Sequence, residues 1–197
     1  MNPRGQAGQD QFAFAVTGKL ETGTFLDIGS NDPYSGNNSA MLEECGWQGL
    51  RVDRGGDFRG DRKSPFLQVD ALAVDWPEAL SAHGLGARID FLSFDLDDDG
   101  VAALARLPWT TVRFSCMTVE HDLYRVGEGP RAAMRELLQG HGYRLLCPDV
   151  VLDGFGAFED WWIDPNAIDA AVADRFATNS AMRWQEILTK GGGLIHG

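Results

Sequence analysis

Acidic side chains recur at the ends of short apolar segments, and they are the residues of this chain best suited to act together on a ligand. Five acidic residues and one histidine end or directly follow an apolar segment: Asp27, Asp53, Asp70, Asp95, Glu120 and His121. Carboxylates accept hydrogen bonds from hydroxyl and amino groups, and a histidine can take up a proton near neutral pH. If the segments are parallel strands, their carboxyl ends meet at one sheet edge, where ligands of such sheets bind.

The elements that must position these residues form an alternating pattern of strands and helices. Alternation of this kind predicts a mostly parallel sheet with helices on both faces. The sequence predicts one domain over residues 1–197, with an N-terminal helix at about 8–20, a core at about 23–165 and a C-terminal helix at about 166–189. Within it we expect a seven-stranded sheet with strands at 24–28, 50–53, 66–70, 89–95, 111–119, 143–147 and 155–163.

Composition narrows the function classes. The 197 residues include 17 Lys and Arg against 29 Asp and Glu, a formal net charge of −12, and such a surface repels phosphate backbones. We therefore expect a small-molecule or glycan partner and no nucleic acid. No apolar run is long enough to span a membrane, and the first residues lack a signal-peptide pattern, so we expect a cytoplasmic protein. The chain has three cysteines and no CxxC pair, and we expect these cysteines to be reduced thiols.

The strand ends suggest an adenosine-containing cofactor. Asp53 could accept two ribose hydroxyls, and Asp70 could accept an adenine amino group, although each could equally cap a turn. The turn after the first strand contains Gly29, which permits close backbone approach, but it lacks the GxGxxG pattern of dinucleotide sites. Carboxylates such as Asp27 and Asp95 repel a pyrophosphate and attract a sulfonium and an ammonium. S-adenosylmethionine is therefore favoured over a nicotinamide cofactor.

Several motifs follow one another in order between about residues 9 and 165: Gln9-Asp10-Gln11-Phe12, Gly23 to Pro33, Asn38-Ser39, Leu42-Glu43, Gly46 to Leu50, Asp90 to Asp97, Glu120-His121 with Arg131, Gly142-Tyr143 and Phe158 to Trp161. Taken in this order, they resemble the FkbM-type methyltransferases. The resemblance implies a class I, Rossmann-like fold that binds S-adenosylmethionine and methylates hydroxyl groups of sugars or secondary metabolites. The run Asp97 to Gly100 departs from the Glu-Gly pair of many relatives. The predicted cofactor contacts are Asp27, Gly29, Ser30, Asn31, Asn38, Asp53, Asp70, Ala71, Asp95 and Leu96.

Methylation of a hydroxyl requires a group that removes its proton, either a base or a metal ion that lowers the hydroxyl pKa. We expect His121 to be the base, with Asp95 and Glu120 as further catalytic residues; His121 could instead only brace its loop. Oxygen-rich side chains also suit Mg²⁺ or Mn²⁺, and the metal set would be Asp95, Asp97, Glu120 and His121. Strand alternation places one ring of Trp161 and Trp162 outward, where it could stack on a sugar.

These observations favour an S-adenosylmethionine-dependent O-methyltransferase. Two alternatives stay open from the residues alone. One is a nicotinamide-dependent oxidoreductase on a similar sheet, for which the glycine-rich pyrophosphate turn is missing. The other is a non-catalytic module that binds the cofactor without turnover, which the Glu120-His121 pair disfavours.

Overall fold

A sheet of eight strands forms the centre of the molecule. The computed structural model describes residues 3–55 and 59–192. The strands are β1 (Thr24–Ile28), β2 (Gln48–Asp53), β3 (Phe66–Gln68), β4 (Arg88–Phe94), β5 (Arg113–Glu120), β6 (Arg144–Leu152), β7 (Gly156–Ile163) and β8 (Met182–Arg183).

Eight α-helices flank the sheet within the described part of the chain. They are α1 (Gln9–Thr17), α2 (Ala40–Glu44), α3 (Trp76–Ala82), α4 (Gly100–Ala105), α5 (Leu123–Val126), α6 (Glu128–Gly140), α7 (Ala170–Phe176) and α8 (Trp184–Gly191). A short 3₁₀ helix at Ala71–Ala73 follows β3, and the Asp70 carboxylate caps it by accepting the Leu72 backbone N–H at 2.8 Å.

The strand order is β3-β2-β1-β4-β5-β7-β6-β8. All neighbouring strands are parallel except β7, which runs antiparallel to both β5 and β6. Consequently β1 to β5 all end at one edge of the sheet, and the acidic residues that follow them are brought together there. The predicted mostly parallel sheet with helices on both faces is confirmed, but it has eight strands rather than seven.

The additional strand lies inside the region predicted as one C-terminal helix. Asp169 caps α7 by accepting the backbone N–H groups of Ala171 and Val172, and that helix ends at Phe176. Asn179 and Ser180 follow, and such residues compete with helical hydrogen bonding through their side chains. The chain then pairs Met182 with Val150 before α8 begins. The N-terminal helix is also shorter than predicted, ending at Thr17.

Two hydrophobic cores cover the two faces of the sheet. One joins α3, α4 and α6 to the face that carries Leu26 and Trp162, and the other joins α1, α2, α7 and α8 to the face that carries Phe25 and Trp161. Both tryptophans are fully buried. The expectation that one ring faces outward is wrong, because helices cover both faces of the sheet at this strand. Among the described residues, no helix is both long and apolar enough to cross a membrane.

Candidate functional site

A glycine turn brings the ends of three strands together. Gly29 follows β1 with φ of +81°, and a Cβ there would lie 1.6 Å from the Asp95 carbonyl oxygen. Its backbone N–H donates to the Val52 carbonyl of β2 at 2.9 Å, while the Asp95 N–H donates to Ile28 at 2.9 Å. Only glycine permits both the backbone conformation and the close contact. The turn therefore fixes the floor of a site at the carboxyl ends of β1, β2 and β4.

A cavity of about 360 Å³ opens above this turn, and we call it the first cavity. Ten residues predicted to contact the cofactor all line it: Asp27, Gly29, Ser30, Asn31, Asn38, Asp53, Asp70, Ala71, Asp95 and Leu96. Its described lining carries seven aspartates against one cation, Arg54. An excess of negative charge of this size favours a cationic ligand and disfavours a polyanion.

Asp53 is held in place from two sides. One carboxylate oxygen accepts the backbone N–H of Asn31 at 2.9 Å, and the other accepts that of Gly55 at 2.6 Å. Each carboxylate oxygen has two acceptor sites, so both can still accept a ligand hydroxyl. Asp70, which caps the 3₁₀ helix, also lies 3.8 Å from the Arg54 guanidinium. Asp70 therefore has the capping role that was its alternative interpretation, and part of its carboxylate still faces the first cavity.

Asp27 is the buried carboxyl of the first cavity. Its Oδ2 accepts the Ser39 hydroxyl at 2.6 Å, and burial raises its pKa to about 6. The hydrogen bonds from Ser39 and Ser93 and the charge of Arg62 oppose that rise. Asp27 therefore changes charge close to physiological pH, in a cavity that otherwise carries fixed negative charge.

Two buried polar atoms in the wall of the first cavity have no hydrogen-bond partner among the described residues. Asn38 donates its amide to the Ser93 hydroxyl at 3.0 Å, but its Oδ1 has no donor, and the Ser30 hydroxyl is also unpaired. Buried polar atoms are normally paired, by protein, water or ligand. One free acceptor and one free hydroxyl donor match the ammonium and the carboxylate of an amino acid group. The residues present therefore fit the methionine part of S-adenosylmethionine.

The N-terminal segment closes one side of the first cavity, which the sequence did not reveal. Gly5 forms an isolated parallel bridge with Gly36, and Gln6 lines the cavity. The buried carboxylate of Asp10 holds the segment by accepting the backbone N–H groups of Arg4 and Gly5 at 2.7 and 2.9 Å. Asp10 was part of a quoted motif, but nothing in its spacing indicates which residues it fixes.

A second cavity of about 320 Å³ adjoins the first and shares Leu96 and Asp97 to Asp99 with it. It lies beyond the ends of β4 and β5, where Glu120 and His121 line it. The Glu120 and Asp95 carboxyl groups hydrogen-bond to one another, and burial together with the charge of Asp95 raises the pKa of Glu120 strongly. Two carboxyl groups this close cannot both ionise easily, so the pair retains a proton near neutral pH.

His121 points away from an incoming acceptor. Its side chain is 1% exposed. Nδ1 accepts the Leu123 backbone N–H at 3.2 Å, and Nε2 lies 3.4 Å from Asp160 and 3.7 Å from Asp149. The lone pair that a base would use is thus engaged with the backbone, and the other nitrogen faces carboxylates. This position agrees with the loop-bracing alternative and not with the predicted base.

The predicted metal set does not assemble. Within residues 3–55 and 59–192, only His121, Asp149 and Asp160 place ligand atoms within 4.8 Å of one another, so Asp95, Asp97 and Glu120 do not join His121. That cluster already contains cations, because Arg135 donates to both Asp160 and Asp149 at 2.7–2.9 Å. Arginine side chains occupy the carboxylates that a metal ion would need.

Solved structures with the same architecture come from several methyltransferases. A Clostridium thermocellum protein provisionally described as an rRNA methylase superposes with a TM-score of 0.53 at 11% identity, covering 83% of this chain and 97% of that one. The Burkholderia thailandensis 1,6-didemethyltoxoflavin-N1-methyltransferase, bound to S-adenosylhomocysteine, has a TM-score of 0.51 at 15% identity, covering 80% and 76%. The chain has the class I methyltransferase fold.

A third structure gives the same result. A Streptococcus mutans protein provisionally described as a methyltransferase, in complex with S-adenosylhomocysteine, has a TM-score of 0.52 at 8% identity and covers 83% of this chain and 99% of that one. No protein-family model and no curated protein sequence matches the chain. At these identities the likeness concerns the fold, and the activity must be argued from the site.

Proposed function

We propose that the protein is an S-adenosylmethionine-dependent methyltransferase that binds its cofactor in the first cavity. The observation that carries the proposal is the charge of that cavity, with seven aspartates and one arginine in its described lining. S-adenosylmethionine brings a sulfonium and an ammonium to such a surface, whereas a nicotinamide dinucleotide brings a pyrophosphate. A dinucleotide on this fold would need N–H groups of a glycine-rich turn, and here the Gly29 N–H already donates to Val52.

Different residues of the first cavity would bind different parts of the cofactor. Asp53, fixed by two backbone N–H groups, would accept the ribose hydroxyls, and Asp70 and Ala71 would border the adenine. The unpaired Oδ1 of Asn38 would accept the ammonium, and the Ser30 hydroxyl would donate to the carboxylate. When bound, the cofactor supplies an electrophilic methyl group on sulfur.

The Asp95–Glu120 pair would take up the proton of the acceptor. It lies where the first and second cavities meet, since Asp95 lines the first and Glu120 lines the second. The ionised carboxylate of this pair would accept the hydroxyl proton, while its neighbour keeps the proton that the pair already holds. His121, whose ring binds the Leu123 N–H and faces Asp160, would be a positioning residue that holds the end of β5.

The acceptor that we propose is a hydroxyl group of a sugar, glycan or secondary metabolite, as in the FkbM-type methyltransferases. Support comes from the motifs that carry that resemblance. Gly23 to Pro33 forms β1 and the glycine turn, Asp90 to Asp97 forms β4 and its acidic end, and Glu120 ends β5. The net charge of −12 and the acidic rim disfavour nucleic acid, so the rRNA description of one fold neighbour is not carried over to this chain.

A methyl-transfer screen tests this proposal. Labelled S-adenosylmethionine is incubated with the protein and a panel of glycans, nucleotide sugars and small hydroxylated metabolites, with ribosomal RNA as a separate arm. We expect label on a hydroxyl of a small acceptor and none on RNA. Because the predicted metal set does not assemble, excess chelator should leave the rate unchanged. Label on RNA alone would overturn the proposed acceptor class.

A further inference from the structure

The lining of the second cavity combines apolar and acidic residues. The apolar residues are Leu96, Val101, Ala102, Val126, Pro130 and Met134, and the acidic residues are Asp97, Asp98, Asp99, Glu120 and Asp122. No lysine or arginine lines it within the described residues. The only basic residue in the lining is His121, and its ring is directed towards Asp160 and Asp149 instead. A ligand of this cavity therefore meets an excess of acidic over basic side chains together with apolar residues.

Asp122 is the buried acceptor of this cavity. The residue is 4% exposed, and it directly follows His121 at the end of β5. Its Oδ2 accepts the Arg125 guanidinium at 2.6–2.7 Å, but no described donor makes a hydrogen bond to Oδ1. A buried carboxylate oxygen without a donor is costly unless a ligand pairs with it. Oδ1 is thus an acceptor awaiting a partner in the wall of the second cavity.

The neighbours of Asp122 do not neutralise the site. Arg125, the nearest cation, lies outside the lining and spreads its guanidinium over Asp122, Asp97 and Asp98 at 2.6–3.7 Å. Arg54 lies 3.8 Å from Asp98 as well, so two guanidiniums face these three carboxylates. Burial raises the pKa values of Glu120 and Tyr124, and the charge of Asp122 raises them further. The cavity stays an anionic site.

We propose that the second cavity binds the methyl acceptor through a protonated amine, which pairs with Asp122. The proposal rests on the proposed function, since it assigns the acceptor of the same reaction. A divalent ion fits less well, because no three of these carboxylates bring oxygens within 4.8 Å of one another. An ammonium donates three N–H bonds from one atom and needs no such closed set of ligands.

The apolar residues of the lining indicate what the amine is attached to. Val126 is 43% exposed. Outside the lining, Tyr124 and Phe155 form an edge-on aromatic pair with ring centroids 5.8 Å apart, and they are 49% and 54% exposed. An aliphatic or aromatic body that carries an amine and a hydroxyl matches the apolar and acidic residues of the lining.

The pairing also determines which atom reacts. An ammonium held by carboxylates keeps its proton and has no lone pair to attack a methyl group. The hydroxyl of the same molecule has a lone pair, and the Asp95–Glu120 pair lies between the two cavities to receive its proton. Amine recognition therefore protects nitrogen and directs methylation to oxygen.

Matched pairs of hydroxylated ligands test the inference by binding. Calorimetry compares tyramine with tyrosol, which replaces its amine by a hydroxyl, and D-glucosamine with D-glucose. Each ligand is titrated into the protein alone and into the protein saturated with S-adenosylhomocysteine. In at least one pair we expect the amine to bind about tenfold or more tightly, which is the contribution of one ion pair of about 1.4 kcal/mol. Equal affinities, or no binding of either member in both pairs, would overturn the inference.

Substitutions test whether Asp122 causes the preference for the amine ligand. Asp122→Asn should abolish it, while Asp174→Asn, which removes a surface aspartate paired with Arg144 at 2.8 Å, should leave it intact. If Asp122→Asn melts too early to titrate, the Asp97→Asn and Asp98→Asn double variant is used, because those side chains are 86% and 66% exposed. It should reduce the preference by about two- to threefold through weaker surface charge. An amine preference that all these variants retain contradicts the assignment.

The titrations distinguish failure of the proposed function from failure of the inference about the acceptor. S-adenosylhomocysteine that does not bind contradicts the proposed function, whatever the amine titrations show. S-adenosylhomocysteine that binds, with no amine preference, contradicts only the inference about the acceptor. A methylated amine nitrogen in the product would also contradict it.

Discussion

The first and second cavities differ in how the chain builds them. The first is made almost wholly from residues that directly follow β1 to β4, so its aspartates can be read from the sequence as strand ends. The second shares Leu96 to Asp99 with the first, and the rest of it comes from the end of β5, the loop that follows and residues of α4, α5 and α6, whose positions depend on tertiary packing. The residues of the first cavity can therefore be predicted from local sequence patterns, whereas those of the second cavity depend on contacts between distant parts of the chain. This difference is expected when loops determine substrate specificity.

The largest effect should follow from a change where the two cavities meet. Glu120→Gln removes a carboxyl from the pair, and its amide can donate to Asp95, which makes Asp95 a weaker base. We expect turnover to fall by about 10²–10⁴-fold with nearly unchanged affinity for S-adenosylhomocysteine. The exposed Glu78→Gln, in α3, serves as the control and should behave as wild type. Near-wild-type turnover in Glu120→Gln would remove the pair from the chemistry.

A change confined to the first cavity should affect affinity and not the chemical step. Asp53→Ala removes the acceptor for the ribose hydroxyls and should weaken S-adenosylmethionine binding by about 1.5–3 kcal/mol, or about ten- to a hundredfold, in calorimetry. Asp75→Ala is the matched control, because Asp75 also accepts a backbone N–H, from Glu78 at 3.2 Å, but lies outside the cavity lining. If both variants bind equally well, Asp53 is not a cofactor contact.

Substitution of His121 distinguishes a structural role of this residue from a catalytic one. His121→Ala leaves the Leu123 N–H without its acceptor and removes the Nε2 contact with Asp160, which keeps its bonds from Arg135, and we expect a loss of about 1–3 kcal/mol of stability. For a chain of this size that lowers the melting temperature by roughly 2–10 °C. Turnover should fall less than tenfold, and the His83→Ala control should change neither quantity. A stable variant with a 10²-fold or larger loss of turnover would restore His121 as the base.

The smallest expected effect is a pH dependence that arises in the first cavity. The pKa of Asp27 is raised from 3.8 to about 6 in the fold, so the folded state holds more protons than the unfolded state between these values. Stability from this group is present below pH 4 and is lost as the pH rises through 6. Between pH 5 and 8 wild type should lose about 1.4 kcal/mol relative to Asp27→Asn. Denaturant unfolding at both pH values measures the difference, and parallel curves would contradict it.

Local patterns predicted the elements that carry the first cavity. Alternation and turn residues predicted β1 at Thr24–Ile28 with the bounds that the structure shows. The two-residue strand β8 was missed, because a pair of residues has no period. Burial of both Trp161 and Trp162 was missed because alternation shows which face a side chain takes but not what covers that face.

The second cavity could not be predicted in the same way. The direction of the His121 ring depends on Asp149 and Asp160, which reach it from strands later in the chain. Asp122 followed directly after the predicted pair, but only the fold shows that one of its oxygens is buried without a donor. Gln6 likewise reaches the first cavity only through the bridge of Gly5 to Gly36.

The central claim is that the first cavity selects a cationic adenosine cofactor by its negative charge. Calorimetry of the unmodified protein with S-adenosylmethionine, S-adenosylhomocysteine and NAD tests it most directly, with Asp53→Ala as the check on location. The account predicts that S-adenosylmethionine and S-adenosylhomocysteine bind, that NAD does not, and that Asp53→Ala weakens both affinities. Binding of NAD in preference to S-adenosylmethionine, or no binding of either adenosylated ligand, would contradict it.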